Sequence, residues 1–287
     1  MNKPEHIIAS VNGQFLPLSE ATVHIEDRGF QFADGVYEVI ACFAGNFLDI
    51  DEHLDRLSRS CQAIELSMPL SRSALKKRIR ETYQRNPFEH AMLYIQVTRG
   101  AAPRSHQISK DLSPTLIITA RQLPNPSQEK ISMGATAITL QDFRWKRCDI
   151  KSISLLASVM GKQEAARQHV DETFWLDDEG HVLEGCSTNC FAVINGKLVT
   201  HPLDHHVLEG ITRKLVLRIA SEHDQTIEER PWKLSEPDIS EIFMTSTTNA
   251  AMPVCRVDNQ PVGDGVPGPA TMRLRQWLLE HFEALRS

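Results

Sequence analysis

Four two-residue turn signals do most to limit what this chain can fold into. Asn12-Gly13, Gly45-Asn46, Asn195-Gly196 and Asp258-Asn259 each interrupt strand-like stretches, and residues of these types tolerate the positive φ that a tight hairpin demands. Antiparallel pairs are predicted for residues 7–11 with 14–17 and 36–44 with 47–50, and further hairpins at the two later signals. In the second pair Tyr37 and Glu38 fall on opposite faces, because strand side chains alternate. Other strands are expected at 90–98, 115–121, 134–140, 173–176, 181–184, 189–194 and 241–245. One helix runs from an Asp51 cap to about 64, with Leu54, Leu57, Cys61 and Ile64 as its buried stripe and Arg56 beside it. A second runs from a Ser71 cap to about 85 with a solvated basic face. Later helices are expected at 154–168, with Leu155, Val159 and Ala166 inward, at 210–220 and at 270–285. Strands and helices alternate irregularly, so the class is α+β, not a doubly wound α/β sheet.

Leu123-Pro124-Asn125-Pro126-Ser127 breaks all periodicity, since proline lacks a backbone donor and restricts the residue before it. A chain of 287 residues, 41% hydrophobic, also exceeds what one core usually supports. The division expected is an N-terminal domain over 1–120, a linker over 121–127, and a C-terminal domain over 128–287 that carries Lys151. A formal charge of −6 offers no basic field for nucleic acid. No apolar run approaches membrane-spanning length, and Met1 to His6 lacks the apolar core of a secretory signal, so a cytoplasmic location is expected. The six cysteines are scattered without a C-x-x-C pair and read as free thiols of a reducing compartment.

Lys151 lies in Arg147-Cys148-Asp149-Ile150-Lys151-Ser152. A lysine in isolation reads as a surface cation, but the residues downstream change that reading. Gly210-Ile211-Thr212 at a helix start offers backbone N–H groups and a hydroxyl to an anion. Arg56 and Ser246-Thr247 are further phosphate candidates. Neither a Walker loop nor a G-x-G-x-x-G fingerprint is present, so a P-loop nucleotide or dinucleotide is not the implied ligand. Lysine, a phosphate cup and a carboxylate at Glu184 are the set that pyridoxal 5′-phosphate needs. A cation such as Arg147 would help lower the lysine's pKa. His201, His205 and His206 read as a polar loop and not a metal site, and Asp142 with Asp149 is a weak signal for paired hydrolytic carboxylates.

Taken together, these segments resemble the fold type IV pyridoxal-phosphate enzymes, and most closely the D-amino-acid aminotransferases. The resemblance rests on Asp27-Arg28-Gly29, Asp34-Gly35-Val36-Tyr37-Glu38, His53-Leu54-Asp55-Arg56-Leu57, Thr98-Arg99-Gly100, Pro103-Arg104-Ser105-His106, the Lys151 segment, Glu184-Gly185, Gly210-Ile211-Thr212-Arg213 and Thr245-Ser246-Thr247-Thr248. It implies the two-domain fold type IV architecture, with Lys151 joined to the cofactor as a Schiff base and serving as proton shuttle. It implies Glu184 on the ring nitrogen, Leu208 against the ring, and Arg56, Ile211, Thr212 and Thr247 on the phosphate, with Ser187 and Ser246 also on the cofactor. Tyr37, Arg104 and His106 would grip the substrate carboxylate, the last two from the neighbouring subunit of a homodimer. The sequence departs from the family at Cys186-Ser187-Thr188, where those enzymes carry three serines, and at Phe30, which replaces a tyrosine.

The function this implies is transamination between a D-amino acid and a 2-oxo acid, of the D-alanine and 2-oxoglutarate type. A branched-chain L-amino-acid aminotransferase and an aminodeoxychorismate lyase share the lysine and the ring carboxylate, and Arg104 with His106 favours the D-specific enzyme over both. A pyridoxal-phosphate-binding protein without turnover is the reading from outside enzymology.

Overall fold

The computed structural model of the chain describes residues 7–124 and 126–284. Met1 to His6, Asn125 of the expected linker and Leu285 of the expected last helix lie outside the described residues. Two compact units divide the rest, one made of 7–124 with 150–154 and the other of 126–149 with 155–284. The segment bearing Lys151 thus packs with the first unit, where the sequence reading had put it in the C-terminal domain.

In the first unit Asn12 and Gly13 take φ of 49° and 90°, and around them β1 (Ile8–Val11) folds back on β2 (Gln14–Pro17). A short helix α1 (Arg28–Phe32) follows, then β3 (Gly35–Phe43), β4 (Asn46–Phe47), α2 (Ile50–Ala63), α3 (Arg72–Gln84), β5 (His90–Thr98) and β6 (Thr115–Gln122). The six strands form one antiparallel sheet in the order β2-β1-β6-β5-β3-β4. Ile40, Leu93, Ile95 and Ile118 meet Leu57 of α2 and Leu75 and Ile79 of α3 in its core.

Two local expectations shift here. The second hairpin turns at Ala44-Gly45, with φ of 49° and 90°, because Phe43 pairs with Asn46 and draws that residue into β4. The cap of α2 is Asp49 in a left-handed conformation, without a side-chain hydrogen bond. Asp51 lies in the first turn, where a carboxylate suits the helix dipole, and pairs with Arg72 and Lys76 of α3. Ser71 caps α3 as expected, accepting from the Ala74 N–H.

The second unit begins with α4 (Gln128–Met133), which the sequence reading passed over, and continues through β7 (Ala135–Gln141), α5 (Leu156–Arg167), β8 (Glu172–Leu176), β9 (Val182–Gly185), β10 (Asn189–Ile194) and β11 (Lys197–Thr200). After these come α6 (Ile211–Glu222), β12 (Ile227–Glu229), β13 (Ile239–Ser246), β14 (Ala250–Val257), β15 (Gln260–Pro261) and α7 (Pro269–Ala284). Its sheet runs β12-β11-β10-β13-β14-β7-β8-β9. β7 is parallel to both neighbours, and the pairing of Asn189 with Glu184 joins β10 to β9, closing the path from β10 to β9 into a ring. Phe174, Trp232, Ala192 and Ile242 fill its core.

Helix α5 buries a different face from the one predicted. Leu155, Val159 and Ala166 are exposed, and Gly161 and Ala165 go inward. A Cβ at Gly161 would stand 2.6 Å from the Cys186 sulfur and 2.8 Å from the Trp175 ring. Only the smallest residues let the helix lie on that ring, so its larger side chains turn outward.

Candidate active site

Residues 150–154 run along β3 of the first unit as an added bridge. The Tyr37 N–H donates to the Lys151 carbonyl at 3.0 Å, the Ile153 N–H to the Gly35 carbonyl at 3.1 Å, and Val36 bridges Ser152. Gly35 makes room for this: a Cβ there would meet the Val97 carbonyl at 2.6 Å and the Ile153 side chain at 3.0 Å. The Lys151 N–H is held by the Ser60 hydroxyl of α2 at 3.2 Å. Its Nζ lies 4.4 Å from the centroid of the Tyr37 ring, which stacks on Tyr94. A strand, a helix and an aromatic face therefore fix where this amine sits.

On the other face of β3, Glu38 is fully buried against α2. The Arg56 Nε and Nη2 donate to its two oxygens at 2.7 and 2.8 Å, and His53 Nδ1 lies 2.7 Å away. Burial works to raise the Glu38 carboxyl, but Arg56 and His53 overcome it and draw it from 4.5 down to about 2. Burial lowers the pKa of His53, so its neutral ring donates from Nδ1 to the carboxylate. Its Nε2 is buried with no hydrogen-bond partner among the described residues.

A carboxyl depressed in the folded state adds stability that is complete above about pH 4.5 and is lost as the pH falls toward about 2. Glu38→Gln removes the charge that the buried Arg56 faces. Urea unfolding at pH 7 should show a loss of about 3 kcal/mol and a flatter dependence on pH across that acidic window. A loss under about 1 kcal/mol would mean that the pair is not what fixes Arg56.

Arg104 and His106 occupy an exposed loop between β5 and β6. Both rest on one ring: the Arg104 guanidinium lies 4.6 Å from the Phe32 centroid, and the His106 ring 5.4 Å from it. Arg28 pins the loop backbone, with Nη1 to the Ser105 carbonyl at 2.6 Å and Nη2 to the His106 carbonyl at 3.4 Å. Asp34 accepts from both Arg28 and Arg99, and burial, which would raise its carboxyl, is outweighed by these two cations. Asp27 caps α1 and accepts from the hydroxyls of Thr98 and Thr115. The Asp27, Asp34 and Thr98 motifs are thus one polar frame beneath the loop.

In the second unit Glu184 is 5% exposed on β9. Arg144 Nη1 donates to one oxygen at 2.5 Å, while the Asn189 amide at 3.1 Å and the Leu208 N–H at 2.9 Å donate to the other. The β9–β10 pairing puts Asn189 there, and its amide also reaches the Leu208 carbonyl at 2.8 Å. Asp142 braces Arg144 from behind. Burial opposes the Arg144 charge, but Glu184 and Asp142 more than offset it and hold the guanidinium protonated. Asp142 is therefore committed to Arg144, and Asp149 to Arg147. Arg147, expected as the cation acting on Lys151, forks onto Asp149 with 43% of its side chain exposed.

The N-cap of α6 is Gly210, which has no side chain to cap the helix, so the first-turn N–H groups around Ile211 and Thr212 suit an acceptor from outside the helix. Gly210 has no room for more, since a Cβ would meet the Asn189 amide oxygen at 2.0 Å. Ser246 and Thr247 end β13 in a tight turn, half-buried. Of Cys186-Ser187-Thr188, Cys186 packs with Trp175, Leu183 and Val207, and burial pushes its thiol up to about 12. Thr188 donates to the buried Glu172, and Ser187 alone is exposed.

His201 lies against the Pro202 carbonyl at 2.9 Å and His205 against Asp149 at 3.5 Å, while Asp204 lies 3.3 Å from His206 and 4.0 Å from His201. Sequence reasoning passed over Asn189, Phe32, the Asp34 pairing with Arg28 and Arg99, and the Glu38 pairing with Arg56. The signal for Glu38 was a carboxylate facing inward on a strand next to a helix with Arg56 beside its apolar stripe.

A family profile described as Amino-transferase class IV matches residues 35–257. The D-alanine aminotransferase of Bacillus licheniformis is 40% identical over 265 residues, 92% of this chain and 93% of its own. That of Staphylococcus haemolyticus is 34% identical over 96% of this chain and 98% of its own. Among solved structures, a branched-chain amino acid aminotransferase from T.th. with pyridoxamine 5′-phosphate is 26% identical, covers 97% of this chain and 94% of its own, and has a TM-score of 0.88. Among the described residues no helix is long and apolar enough to cross a membrane.

Proposed function

Since this chain belongs to the class IV aminotransferases, we propose that it moves an amino group between a D-amino acid and a 2-oxo acid, with pyridoxal 5′-phosphate as cofactor. D-alanine and 2-oxoglutarate are the type pair. The observation that carries the D-amino-acid reading is the Arg104 and His106 pair resting on Phe32, over a loop pinned by Arg28. Relatives at 34–40% identity over more than nine-tenths of the chain bear D-alanine aminotransferase names, while the branched-chain reading is supported by fold likeness at 26%.

The donor types fit the cofactor. Lys151 offers an amine beside Tyr37, Glu184 is a buried carboxylate held by Arg144, Asn189 and the Leu208 N–H, and α6 begins after Gly210, a cap residue with no side chain. When bound, the group supplies an aldehyde that takes up the amino group and a ring that accepts the electrons released at Cα. In this reading Lys151 carries the proton to and from Cα, which proximity makes efficient. Glu184 holds the proton on the ring nitrogen, and Leu208 packs against the ring. Arg56, Ile211, Thr212, Ser246 and Thr247 take the phosphate, and Ser187 a cofactor oxygen. Tyr37, Arg104 and His106 hold the substrate carboxylate, Arg104 and His106 from the second chain of a homodimer. A cytoplasmic setting, where the six free cysteines stay thiols, belongs to the same reading.

Holding the carboxylate decides which enantiomer turns its Cα hydrogen to the lysine. Charged hydrogen bonds are worth roughly 1.5–3 kcal/mol, so Arg104→Ala should cut kcat/KM for D-alanine by roughly tenfold to a hundredfold. Incubation of the wild-type chain with D-alanine or L-leucine plus 2-oxoglutarate, following pyruvate or 2-oxoisocaproate, tests the preference. Faster turnover of L-leucine would move the chain to the branched-chain enzymes. Mixing Arg104→Ala with Lys151→Ala chains should recover activity, since a hybrid dimer keeps one intact site, and no recovery from proven hybrids would remove the shared-site reading.

A further inference from the structure

The turn after β13 has an unusual support. Ser246 pairs with Ala250 at the end of the β13–β14 hairpin, and Ala250 takes a φ of 52°. That left-handed backbone is disfavoured by an alanine side chain and needs help from its surroundings. Within the turn, the Ser246 and Thr248 hydroxyls lie 3.2 Å apart, and the Asn249 N–H donates to the Ser246 hydroxyl at 3.2 Å. Arg275, from α7, donates through Nη1 to the carbonyls of Asn249 and Ala251, both at 2.9 Å. These two carbonyls flank the left-handed residue.

Arg275 is 7% exposed. Burial lowers its pKa, and among the described residues no carboxylate pairs with it. Other deeply buried arginines of the chain have acidic partners: Arg56 meets Glu38, Arg28 and Arg99 meet Asp34, Arg144 meets Glu184 and Asp142, and Arg213 meets Glu229. A buried cation bonded to carbonyls, with no acidic partner among the described residues, holds a turn at a high desolvation cost. An anion nearby offsets that cost, and with its carbonyls drawn onto the guanidinium the turn holds the Ser246 and Thr248 hydroxyls together beside the Asn249 N–H.

We propose that Arg275 is a positioning residue for the cofactor phosphate: by bridging the Asn249 and Ala251 carbonyls it sets the Ser246-Thr247-Thr248 turn in the shape that receives a phosphate dianion. This rests on the reading that Ser246 and Thr247 take the phosphate. Arg275 does not itself touch the group. Its contribution is separable from general stability because it acts on phosphate and not on the pyridine ring.

The test compares the full apo chain with its R275M, R275K and T247A variants, each titrated by absorbance with pyridoxal 5′-phosphate and with pyridoxal, which lacks the phosphate. R275M should weaken pyridoxal 5′-phosphate binding about tenfold and leave pyridoxal binding unchanged, and R275K, which keeps a cation, should recover part of the loss. T247A reports on the underlying reading. If T247A loses phosphate-dependent affinity and R275M does not, Arg275 has no positioning role although the turn does hold phosphate. If T247A leaves the ratio of the two affinities unchanged, the phosphate lies elsewhere and both statements fall. Equal weakening of both ligands by R275M identifies a purely structural clamp and overturns the proposal. Should R275M not fold, R275Q takes its place: an unchanged ratio rejects the role, and a lowered one supports it.

Discussion

Lys151→Ala is expected to reduce transamination by about four orders of magnitude, since it removes both a positioned proton carrier and the covalent attachment point. The fold should survive. The segment's backbone bonds, from Tyr37 N–H to the Lys151 carbonyl and from the Lys151 N–H to Ser60, do not use the amine. Far-UV circular dichroism and the urea midpoint should therefore stay near wild type while the near-visible band of the cofactor-loaded protein disappears. In the wild-type chain, borohydride reduction followed by peptide mapping should place the cofactor on Lys151. A label on any other lysine would end the assignment, and so would turnover surviving in the alanine variant.

Glu184→Gln should have the next largest effect on rate. All the partners described around this carboxylate are donors: Arg144, the Asn189 amide and the Leu208 N–H. An amide in its place must turn an NH₂ toward one of them, and it carries no charge to keep a pyridine nitrogen protonated. Removal of one preorganised electrostatic contact of this kind costs roughly a hundredfold to a thousandfold in kcat, so that loss is expected here. Binding of pyridoxal 5′-phosphate should fall far less, because the phosphate contacts are unchanged. Turnover within a few-fold of wild type would refute the ring-nitrogen role, and loss of cofactor binding in step with activity would reassign Glu184 to anchoring.

Much of this molecule was legible in the chain alone because the determinants are local. Asn12-Gly13 and Asn195-Gly196 fold the hairpins that their φ preferences dictate, and Ser71 caps its helix through a hydroxyl three residues from the N–H it meets. The irregular order of strands and helices excluded a doubly wound sheet, and the class IV family assignment agrees with the resemblance drawn from the motifs. At Gly45 the local signal was one residue off, because cross-strand pairing of Phe43 with Asn46 sets where that turn closes.

What only the tertiary structure decided involves groups far apart in sequence. The Lys151 segment joins β3, more than a hundred residues earlier, because Gly35 leaves room for it and β3 has unpaired edge bonds to share. The inward face of α5 follows from the Trp175 ring under Gly161, not from the helix's own apolar spacing. Arg144 reaches Glu184 across forty residues, and Asn189 does so through the ring-closing pair of β9 and β10. Residue types and short-range dihedral preferences are written in order along the chain, so they fix turns, caps and the list of chemical groups. Burial, ion pairing and strand edges are satisfied only by what the folded chain brings near, and these set which of those groups meet.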